Sequence, residues 1–295
     1  MKIAITGPSG QIGSKLVEKL LEREDVQLVL LARNAEKLQQ VQMMGASVIE
    51  GDLNDGAYIR KATEGADALF FLIPPHIAAK NVRSYYNRIT DHVVCAVGTN
   101  TIPRVVLLSA IGAHLTERTG PILGLRDAEL SLMQSDAHLT CLRAGYFMEN
   151  FLTAVGSIQQ ANAIYLPVSG SAKTSFIATR DIAAAAATVL ADPAWSGKRV
   201  IELHGPADLS FDEVAANISE AIGRVVKHVQ VTAEQAVEAM CDMGLGKDYA
   251  EQLAELHRSI DEGRLKPEQG RSADIAPSTT FAQFAREILA PALLS

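Results

Sequence analysis

The sequence contains few cysteines, few aromatic residues and no long apolar run. Its three cysteines, Cys95, Cys141 and Cys241, are widely spaced and match neither a metal-ligand nor a Cys-x-x-Cys pattern, so we expect buried, reduced thiols and no metal site. Phe, Trp and Tyr make up only 5% of the chain and do not cluster with Arg or Lys, which argues against a base-stacking surface. The Gly-x-Ser-x-Gly elbow of α/β-hydrolases and the Gly-x-x-x-x-Gly-Lys-[Ser/Thr] loop of P-loop enzymes are both missing.

The longest apolar runs, residues 68–73 and 182–187, are far shorter than the roughly 20 residues that a membrane-spanning helix needs. Residues 1–6 do not begin an apolar stretch with a small-residue cleavage site, so no signal peptide is predicted. The 27 Lys and Arg and 34 Asp and Glu give a net charge of −7, spread along the chain. We therefore expect a cytoplasmic protein without a nucleic-acid or membrane partner.

Over the first 150 residues, short apolar runs alternate with amphipathic segments. The runs are almost continuously apolar, as strands covered on both faces are, and the segments between them carry helical repeats such as Ile12, Leu16 and Leu20. This alternation predicts an α/β protein with a Rossmann fold, a doubly wound parallel sheet with helices on both faces. The predicted strands are 2–6, 26–31, 47–50, 68–72, 104–109 and 139–143, and the predicted helices are 11–23, 35–43, 57–63, 79–97 and 123–134.

A glycine-rich turn follows the first predicted strand and opens the first helix. In Thr-Gly-Pro-Ser-Gly-Gln-Ile-Gly, residues 6–13, the first glycine permits a tight turn, the second lets backbone N–H groups approach a phosphate, and the third lets the helix pack close to the strand. Free N–H groups and the helix dipole favour an anion there, which predicts a dinucleotide pyrophosphate; the alternative is a structural turn without a ligand. The predicted cofactor contacts in this turn are Gly7, Pro8, Ser9, Gly10, Gln11 and Ile12.

The end of the second strand carries the signal for cofactor choice. NAD binders place an acidic residue about 20 positions beyond the glycines, but residues 26–35 contain no Asp or Glu, and Arg33 lies at that distance from Gly13. A guanidinium suits the 2′-phosphate of NADP, and Lys37 lies one turn further on to assist. We therefore predict NADP(H) in preference to NAD(H); the alternative is a solvated surface arginine.

Two further strand ends are predicted to contact the dinucleotide. Asp52 is expected to accept a hydrogen bond from the adenine amino group while Leu53 packs on the ring, although an aspartate here is equally suited to cap the next helix. After the fourth strand, an apolar wall beside the ribose is predicted from Leu72, Ile73 and Pro74; the alternative is a plain loop.

The proton donor is not evident from the sequence. Ser109 ends the fifth strand, where ligands collect in open α/β sheets and where many dehydrogenases pair a serine with Tyr-x-x-x-Lys. None of the tyrosines, at positions 58, 85, 86, 146, 165 and 249, has a lysine four residues later. The catalytic residue therefore stays unknown, with Ser109, Tyr146 and His76 as candidates and His114 as a further histidine at the same edge. Ser109, Tyr146 and Phe147 are also expected to contact the cofactor.

After residue 150 the pattern loosens and predicts a small, mostly helical lobe. Ser210 and Thr232 each open a helix with a capping box, and a last helix from about Thr280 places Phe281, Phe284 and Ile288 on one face. We predict an NAD(P)-binding domain of residues 1–150 to which 174–203 return, a substrate or partner lobe of 151–173 and 204–278, and a C-terminal helix of 279–295. Residues 263–278, rich in charge, Gly and Pro, are predicted to form a loop.

Four segments together resemble the NmrA-like branch of the atypical short-chain dehydrogenase/reductases. They are residues 6–13, 32–34, 51–53 and 142–150, the last of which matches the Arg-x-x-x-Phe-x-Glu-Asn run typical of the branch. The resemblance is greatest with NADPH-dependent quinone or azo-dye reductases. It implies a dinucleotide laid over the sheet edge and a substrate pocket between the two lobes, lined by Tyr146, Phe147 and residues 110–125.

The sequence departs from this branch in one respect. Several of its reductases carry a lysine in the fifth helix beside the nicotinamide, whereas the matching residues 126–130 contain none. Reduction of a small apolar acceptor such as a quinone remains the expected function, because its proton can come from solvent. The alternative is an NADP(H)-binding redox sensor of NmrA type that regulates a protein partner without turnover. The oligomeric state, a homodimer included, stays open.

Overall fold

The computed structural model describes residues 1–270 and 277–294. Its strands are β1 (Lys2–Thr6), β2 (Gln27–Ala32), β3 (Ser47–Glu50), β4 (Ala68–Phe71), β5 (Arg104–Ala110), β6 (His138–Ala144), β7 (Tyr146–Phe147), β8 (Ala163–Leu166), β9 (Lys173–Ile177), β10 (Lys198–Leu203), β11 (Asp208–Ser210) and β12 (Lys227–Gln230). Its α-helices are α1 (Gly13–Leu21), α2 (Gln39–Met43), α3 (Gly56–Ala62), α4 (Val82–Thr99), α5 (Ile122–Met133), α6 (Val155–Ala161), α7 (Thr179–Ala191), α8 (Phe211–Ile222), α9 (Ala233–Asp242), α10 (Lys247–Asp261), α11 (Phe281–Phe284) and α12 (Ala290–Leu294).

Seven parallel strands form the central sheet, in the order β10-β6-β5-β4-β1-β2-β3. Helices cover both faces, so successive residues of one strand enter different cores: Ile3 and Ile5 face one layer, Ala4 faces the other, and all three are fully buried. This is why the strands read as continuous apolar runs. The predicted Rossmann fold is confirmed.

Each face of the sheet has its own helical layer. On one face α1 packs beside α7, and the predicted stripe of Ile12, Leu16 and Leu20 is 4%, 0% and 0% exposed, which confirms it. On the other face α4 packs against α3 and α5 through buried side chains such as Ile89 and Leu132. Because all seven strands run the same way, the loops that follow β1 to β5 meet at one edge, where open α/β sheets bind ligands.

The C-terminal lobe is helical but also contains two small sheets. Strands β11, β9 and β7 form one of them, and β12 pairs with β8 in the other. Of these five strands only β9 coincides with a strand-like run that the sequence predicts, residues 174–178, because the others are two to four residues long and carry no alternating pattern. Within the segment predicted to return to the first domain, β10 joins the edge of the large sheet beside β6, whereas β9 lies in the three-stranded sheet. Residues 263–270 contain neither helix nor strand, and 271–276 lie outside the described residues.

At one position of the last helix, the buried residue is not the one that the sequence predicts. Phe281 and Phe284 are buried as expected, but Ile288 is 40% exposed and Leu289 is fully buried. The cause is a π-helical turn over Ala285–Leu289, which adds one residue to the turn and moves the buried face forward by one position. The prediction rested on a regular helix of 3.6 residues per turn, which would bury Ile288 instead of Leu289.

The two neighbouring side chains provide a test of this geometry. Replacing Leu289 by Ala leaves a cavity in the lobe core, so we expect the free energy of unfolding to fall by about 2–5 kcal/mol. The matched control, Ile288→Ala, removes an exposed side chain and is expected to change it by less than about 1 kcal/mol. Urea unfolding followed by circular dichroism measures both. A larger loss for Ile288→Ala would mean that the π-helical turn is not formed.

Candidate active site

The turn between β1 and α1 can form only because Gly7 and Gly13 have no side chains. Gly7 has a φ of +64°, which an L side chain rarely adopts, and its carbonyl accepts a hydrogen bond from the N–H of Gly10 at 3.2 Å. A Cβ on Gly13 would lie 2.0 Å from the Gly7 carbonyl oxygen. The first helical residue therefore has to be glycine for α1 to begin this close to the strand.

This turn leaves backbone donors unused. Ile12 precedes α1 without a side chain that caps the helix, and the N–H groups of Gln11 and Ile12 have no acceptor within residues 1–270 and 277–294. Unpaired N–H groups at the start of a helix, together with the helix dipole, form an anion site. The turn can therefore hold a phosphate without any cationic side chain.

A cleft of about 620 Å³ runs along the carboxyl edge of the sheet from this turn. It is lined by all but two of the predicted cofactor contacts. The exceptions are Lys37, which is exposed and not among the lining residues, and Tyr146, which lines a neighbouring cavity instead. The predicted contacts in the cleft are Gly7, Pro8, Ser9, Gly10, Gln11, Ile12, Arg33, Asp52, Leu53, Leu72, Ile73, Pro74, Ser109 and Phe147.

Arg33 offers an uncommitted charge to this cleft. It follows β2 directly, is exposed, and has no ion-pair or hydrogen-bond partner among the residues that the structure describes. The next residue, Asn34, accepts the N–H of Glu36 at 2.8 Å and so starts the 3₁₀ helix Ala35–Leu38, which carries the exposed Lys37. The guanidinium is thus free to bind an anionic group of a ligand.

Asp52 does not cap the helix that follows it. That role belongs to Asp55, whose carboxylate accepts the N–H of Ala57 at 2.8 Å at the start of α3. Asp52 instead accepts the backbone N–H of Asn54 at 2.8 Å; this bond, followed by the nearby charges of Arg33 and His76, lowers the pKa of its carboxyl group. The alternative of an Asp52 helix cap is therefore wrong, and an ionised carboxylate lines the cleft.

Ser109 belongs to a buried ion-pair network. Its hydroxyl donates to Glu129 Oε1 at 2.5 Å, and Arg143 binds both oxygens of the same carboxylate at 3.0 and 2.7 Å. Arg143 also binds Glu268 at 2.7 Å. Ser109, Glu129 and Arg143 are only 2%, 2% and 7% exposed. In such a buried environment the bidentate bond between Arg143 and Glu129 is strong, and removing either partner would destabilise the fold. The geometry therefore gives Ser109 a structural bond rather than a free hydroxyl for a substrate.

A second cavity of about 230 Å³ adjoins the cleft between the sheet and the lobe. It is bordered by Tyr146, Phe147 and parts of the 110–125 segment, and its walls are largely apolar. The Tyr146 hydroxyl lies 3.2 Å from Nε2 of His257, whose Nδ1 lies 2.8 Å from the carbonyl oxygen of Leu253. Because a carbonyl only accepts, Nδ1 carries the proton of the neutral ring, and Nε2 accepts from Tyr146.

Burial keeps this pair uncharged. It raises the pKa of Tyr146 to about 12, and it lowers the pKa of His257 to about 4 against the opposing effect of the Leu253 carbonyl. The Tyr146 proton is therefore directed toward the lobe core at neutral pH. Tyr146, one of the predicted candidates for the proton donor, borders the second cavity, but its O–H donates a hydrogen bond to His257.

The two predicted histidines lie in different places. His76 lines the cleft, where its ring meets Tyr85 edge-to-face at 5.1 Å between centroids. His114 lines neither cavity; its Nδ1 lies 3.3 Å from the carboxylate of Glu268, beside the Arg143 network. His76 therefore remains within reach of a ligand in the cleft, whereas His114 is part of the ion-pair cluster.

Several lining residues were not predicted as site residues. Tyr86 and Tyr249 line both cavities, as does Asn150, which was predicted only as part of a motif; Leu125, which also lines both, belongs to the predicted 110–125 segment. Tyr86 lies on the buried face of α4, where its spacing is that of an ordinary core residue. Tyr249 comes from α10, about 160 positions along the chain, so no local pattern places it at the sheet edge.

Comparison with known protein families identifies the chain. Residues 7–193 match the model of an NAD(P)H-binding family, and residues 131–285 match that of the NmrA-like family. The protein belongs to the NmrA-like family of NAD(P)H-binding proteins. This confirms the resemblance that the glycine turn and the 142–150 segment indicated.

Relatives with known names cover nearly the whole chain. The NAD(P)H azoreductase of Xenophilus azovorans is 30% identical over 286 residues, 96% of each chain. Quinone oxidoreductase 2 of Escherichia coli strain K12 is 27% identical over 288 residues, 95% of this chain and 96% of that one. Among solved structures, the E. coli NADPH-dependent quinone oxidoreductase complexed with NADPH is 25% identical, with a TM-score of 0.83 over 97% of this chain and 99% of that one. The Citrobacter sp. triphenylmethane reductase shares the fold at 23% identity, with a TM-score of 0.84 over 100% of both chains.

Two further observations concern the described part of the chain. None of its helices has both the length and the apolar character that a membrane crossing requires. Within residues 1–270 and 277–294, no group of three or more His, Cys, Asp or Glu side chains is arranged to hold a metal ion.

The buried His257 predicts a loss of stability in acid. Its pKa rises from about 4 in the folded protein to the ordinary value of 6.5 on unfolding, so the unfolded chain binds more protons between these values. The group's contribution to the free energy of unfolding is therefore complete above pH 6.5 and falls as the pH drops toward 4, by about 3 kcal/mol. We expect His257→Gln to flatten this acid limb in urea unfolding measured from pH 7.5 to 4. Equal slopes for the variant and the wild type would contradict the assignment.

Proposed function

We propose that this protein is an NADPH-dependent reductase that transfers a hydride to a small apolar acceptor such as a quinone. The observation that carries the proposal is the contact between the two cavities. The 620 Å³ cleft at the sheet edge and the 230 Å³ cavity toward the lobe share a common wall. An acceptor in the smaller cavity therefore lies beside a ligand in the cleft. The shared lining residues are Tyr86, Ala110, Leu125, Phe147, Asn150 and Tyr249.

The cleft fits a phosphorylated dinucleotide. The unpaired N–H groups before α1 and the free guanidinium of Arg33 are two separate sites for anionic oxygens along one groove. Asp52 would accept a hydrogen bond from the adenine amino group while Leu53 packs on the ring. NADPH, when bound, supplies the hydride.

The protein's own contribution is orientation of the acceptor and partial exclusion of water. Apolar side chains line the second cavity, so a flat ring can be held against an apolar surface. These side chains include Ile111, Ile122, Leu253 and Leu265. Both the cleft and the second cavity are partly open to solvent, which provides a route for the proton that completes the reduction.

A redox sensor remains the second candidate function. It is favoured by the stretch 126–130 of α5, where reductases resembling this chain carry a lysine and where Glu129 is instead committed to Arg143. Such a sensor would bind NADP(H) in the same cleft and signal through a protein partner.

Steady-state oxidation of NADPH distinguishes the two functions. With 1,4-benzoquinone and 1,4-naphthoquinone as acceptors, the reductase proposal predicts protein-dependent loss of absorbance at the NADPH band and formation of one hydroquinone per NADPH. Tight NADPH binding without turnover of any quinone in the panel would contradict the reductase proposal and support the sensor.

Arg33 provides the test of cofactor choice. We expect Arg33→Ala to weaken NADPH binding by about 1.5–3 kcal/mol, roughly 10- to 150-fold in Kd, because a charged hydrogen bond to the 2′-phosphate is lost. NADH binding should hardly change, since it has no such phosphate. Lys19→Ala is the control, because it removes one positive charge from an exposed position on α1 outside the cleft. An equal loss for both cofactors, measured by calorimetry, would refute the role of Arg33.

A further inference from the structure

Two tyrosines, one from each lobe, lie at the junction of the cleft and the second cavity, that is, among the residues that line both. Tyr86 lies on α4 of the sheet domain and is 7% exposed, and Tyr249 lies half-buried in the first turn of α10 of the C-terminal lobe. Both line both cavities. A ligand that spans the junction therefore passes between a side chain of each lobe.

The backbone fixes this meeting point. The N–H of Gly246 donates to the carbonyl oxygen of Ile77 at 2.7 Å, and the carboxylate of Asp248 accepts the N–H of Val82 at 2.7 Å. These two bonds tie the start of α10 to the start of α4, although about 170 residues separate them in the chain. The start of α10 is thus held against the segment that leads into α4 by one backbone bond and one carboxylate bond.

The ring of Tyr86 is also positioned by Gly124, whose lack of a side chain leaves room for it. A Cβ on Gly124 of α5 would lie 2.7 Å from Cδ2 of Tyr86, so the ring packs directly against the helix backbone. Helices α4 and α5 are in close contact along this region. Packing therefore fixes the orientation of the Tyr86 phenol. A group that donates a hydrogen bond to a bound ligand needs such a fixed orientation.

The hydroxyls of both tyrosines are uncommitted. Neither has a hydrogen-bond partner among residues 1–270 and 277–294, in contrast to Ser109, which donates to Glu129, and Tyr146, which donates to His257. Burial raises the pKa of Tyr86, which the neighbouring Tyr249 raises further, and burial also raises the pKa of Tyr249. Both groups therefore keep their protons at neutral pH and can donate them in hydrogen bonds. The Tyr86 side chain is almost wholly buried, yet its hydroxyl has no partner among the described residues, so it is available to a ligand at the cavity wall.

We propose that Tyr86 and Tyr249 donate hydrogen bonds to the carbonyl oxygen of a quinone-type acceptor bound at this junction. The proposal rests on the reductase function proposed above. Hydride addition to the quinone leaves a negative charge on that oxygen, and two fixed donors stabilise the charge as it develops. The hydride and its two electrons come from NADPH, which leaves as NADP⁺, and water from the open cleft supplies the one proton that completes the hydroquinone. The tyrosines neither gain nor lose a proton over the cycle.

The test is the pair of variants Tyr86→Phe and Tyr249→Phe, assayed in the full chain with NADPH and 1,4-naphthoquinone. Each should lower kcat by at least about 10-fold, toward the 10²-fold typical of losing one donor to a developing oxyanion, with a much smaller change in KM. The Kd for NADPH and the melting temperature should stay close to wild type, since only an oxygen is removed. Tyr165→Phe is the matched control, because Tyr165 is 47% exposed and lines neither cavity.

The possible outcomes distinguish a failure of the tyrosine role from a failure of the reductase function. Wild-type kcat in both variants would overturn the role of the tyrosines and leave the reductase function intact. A loss of activity accompanied by an equal loss of NADPH affinity would also overturn it, because it would show a structural defect. Absence of quinone turnover by the wild type would instead overturn the proposed function and, with it, this role.

Discussion

The contact between Gly13 and the carbonyl of Gly7 is the constraint on which the site depends. Because the first residue of α1 has no Cβ, the helix starts directly against the strand it follows, and its N-terminus points along the carboxyl edge of the sheet. That direction leaves N–H groups free at the end of the cleft where an anion is expected. The other lining segments, after β2, β3, β4 and β5, reach the same edge only because the sheet is parallel. A side chain at this position would move the helix away from all of them.

The second constraint is the docking of the C-terminal lobe. The lobe has its own aromatic core, in which Phe151 and Phe176 pack on each other and on both Phe211 and Phe281, with ring centroids 5.3 to 6.4 Å apart. It reaches the sheet domain through α10 and through Glu268, which binds Arg143. The buried arginine is neutralised by Glu129 of the sheet domain and Glu268 of the segment after α10, so the two parts share one ion-pair network. The small cavity exists only because both parts are in place.

Sequence patterns predicted the features that local chemistry determines. Continuous apolar runs identified the six strands of the first domain, and the glycine spacing predicted the tight turn that leaves N–H groups unpaired before α1. What could not be predicted depended on distant parts of the chain. Strands β7, β8, β11 and β12 are too short to carry a pattern, and the π-helical turn that buries Leu289 leaves no mark in composition. Lys37 was predicted to lie one turn beyond Arg33 near the cofactor, whereas it stands in a 3₁₀ turn and is not among the residues that line the cleft. Tyr249 reaches the sheet edge only through the packing of α10 on α4.

The hydrogen bonds that join Gly246 to Ile77 and Asp248 to Val82 have a mechanical consequence. The segment between Leu72 and Val82 forms one wall of the long cleft at its beginning and the first turn of α4 at its end. Any displacement of that wall by an occupant of the cleft is therefore transmitted to α10 as well as to α4. Because Tyr86 of α4 and Tyr249 of α10 border the second cavity, these two hydrogen bonds link the wall of the cleft to the lining of that cavity.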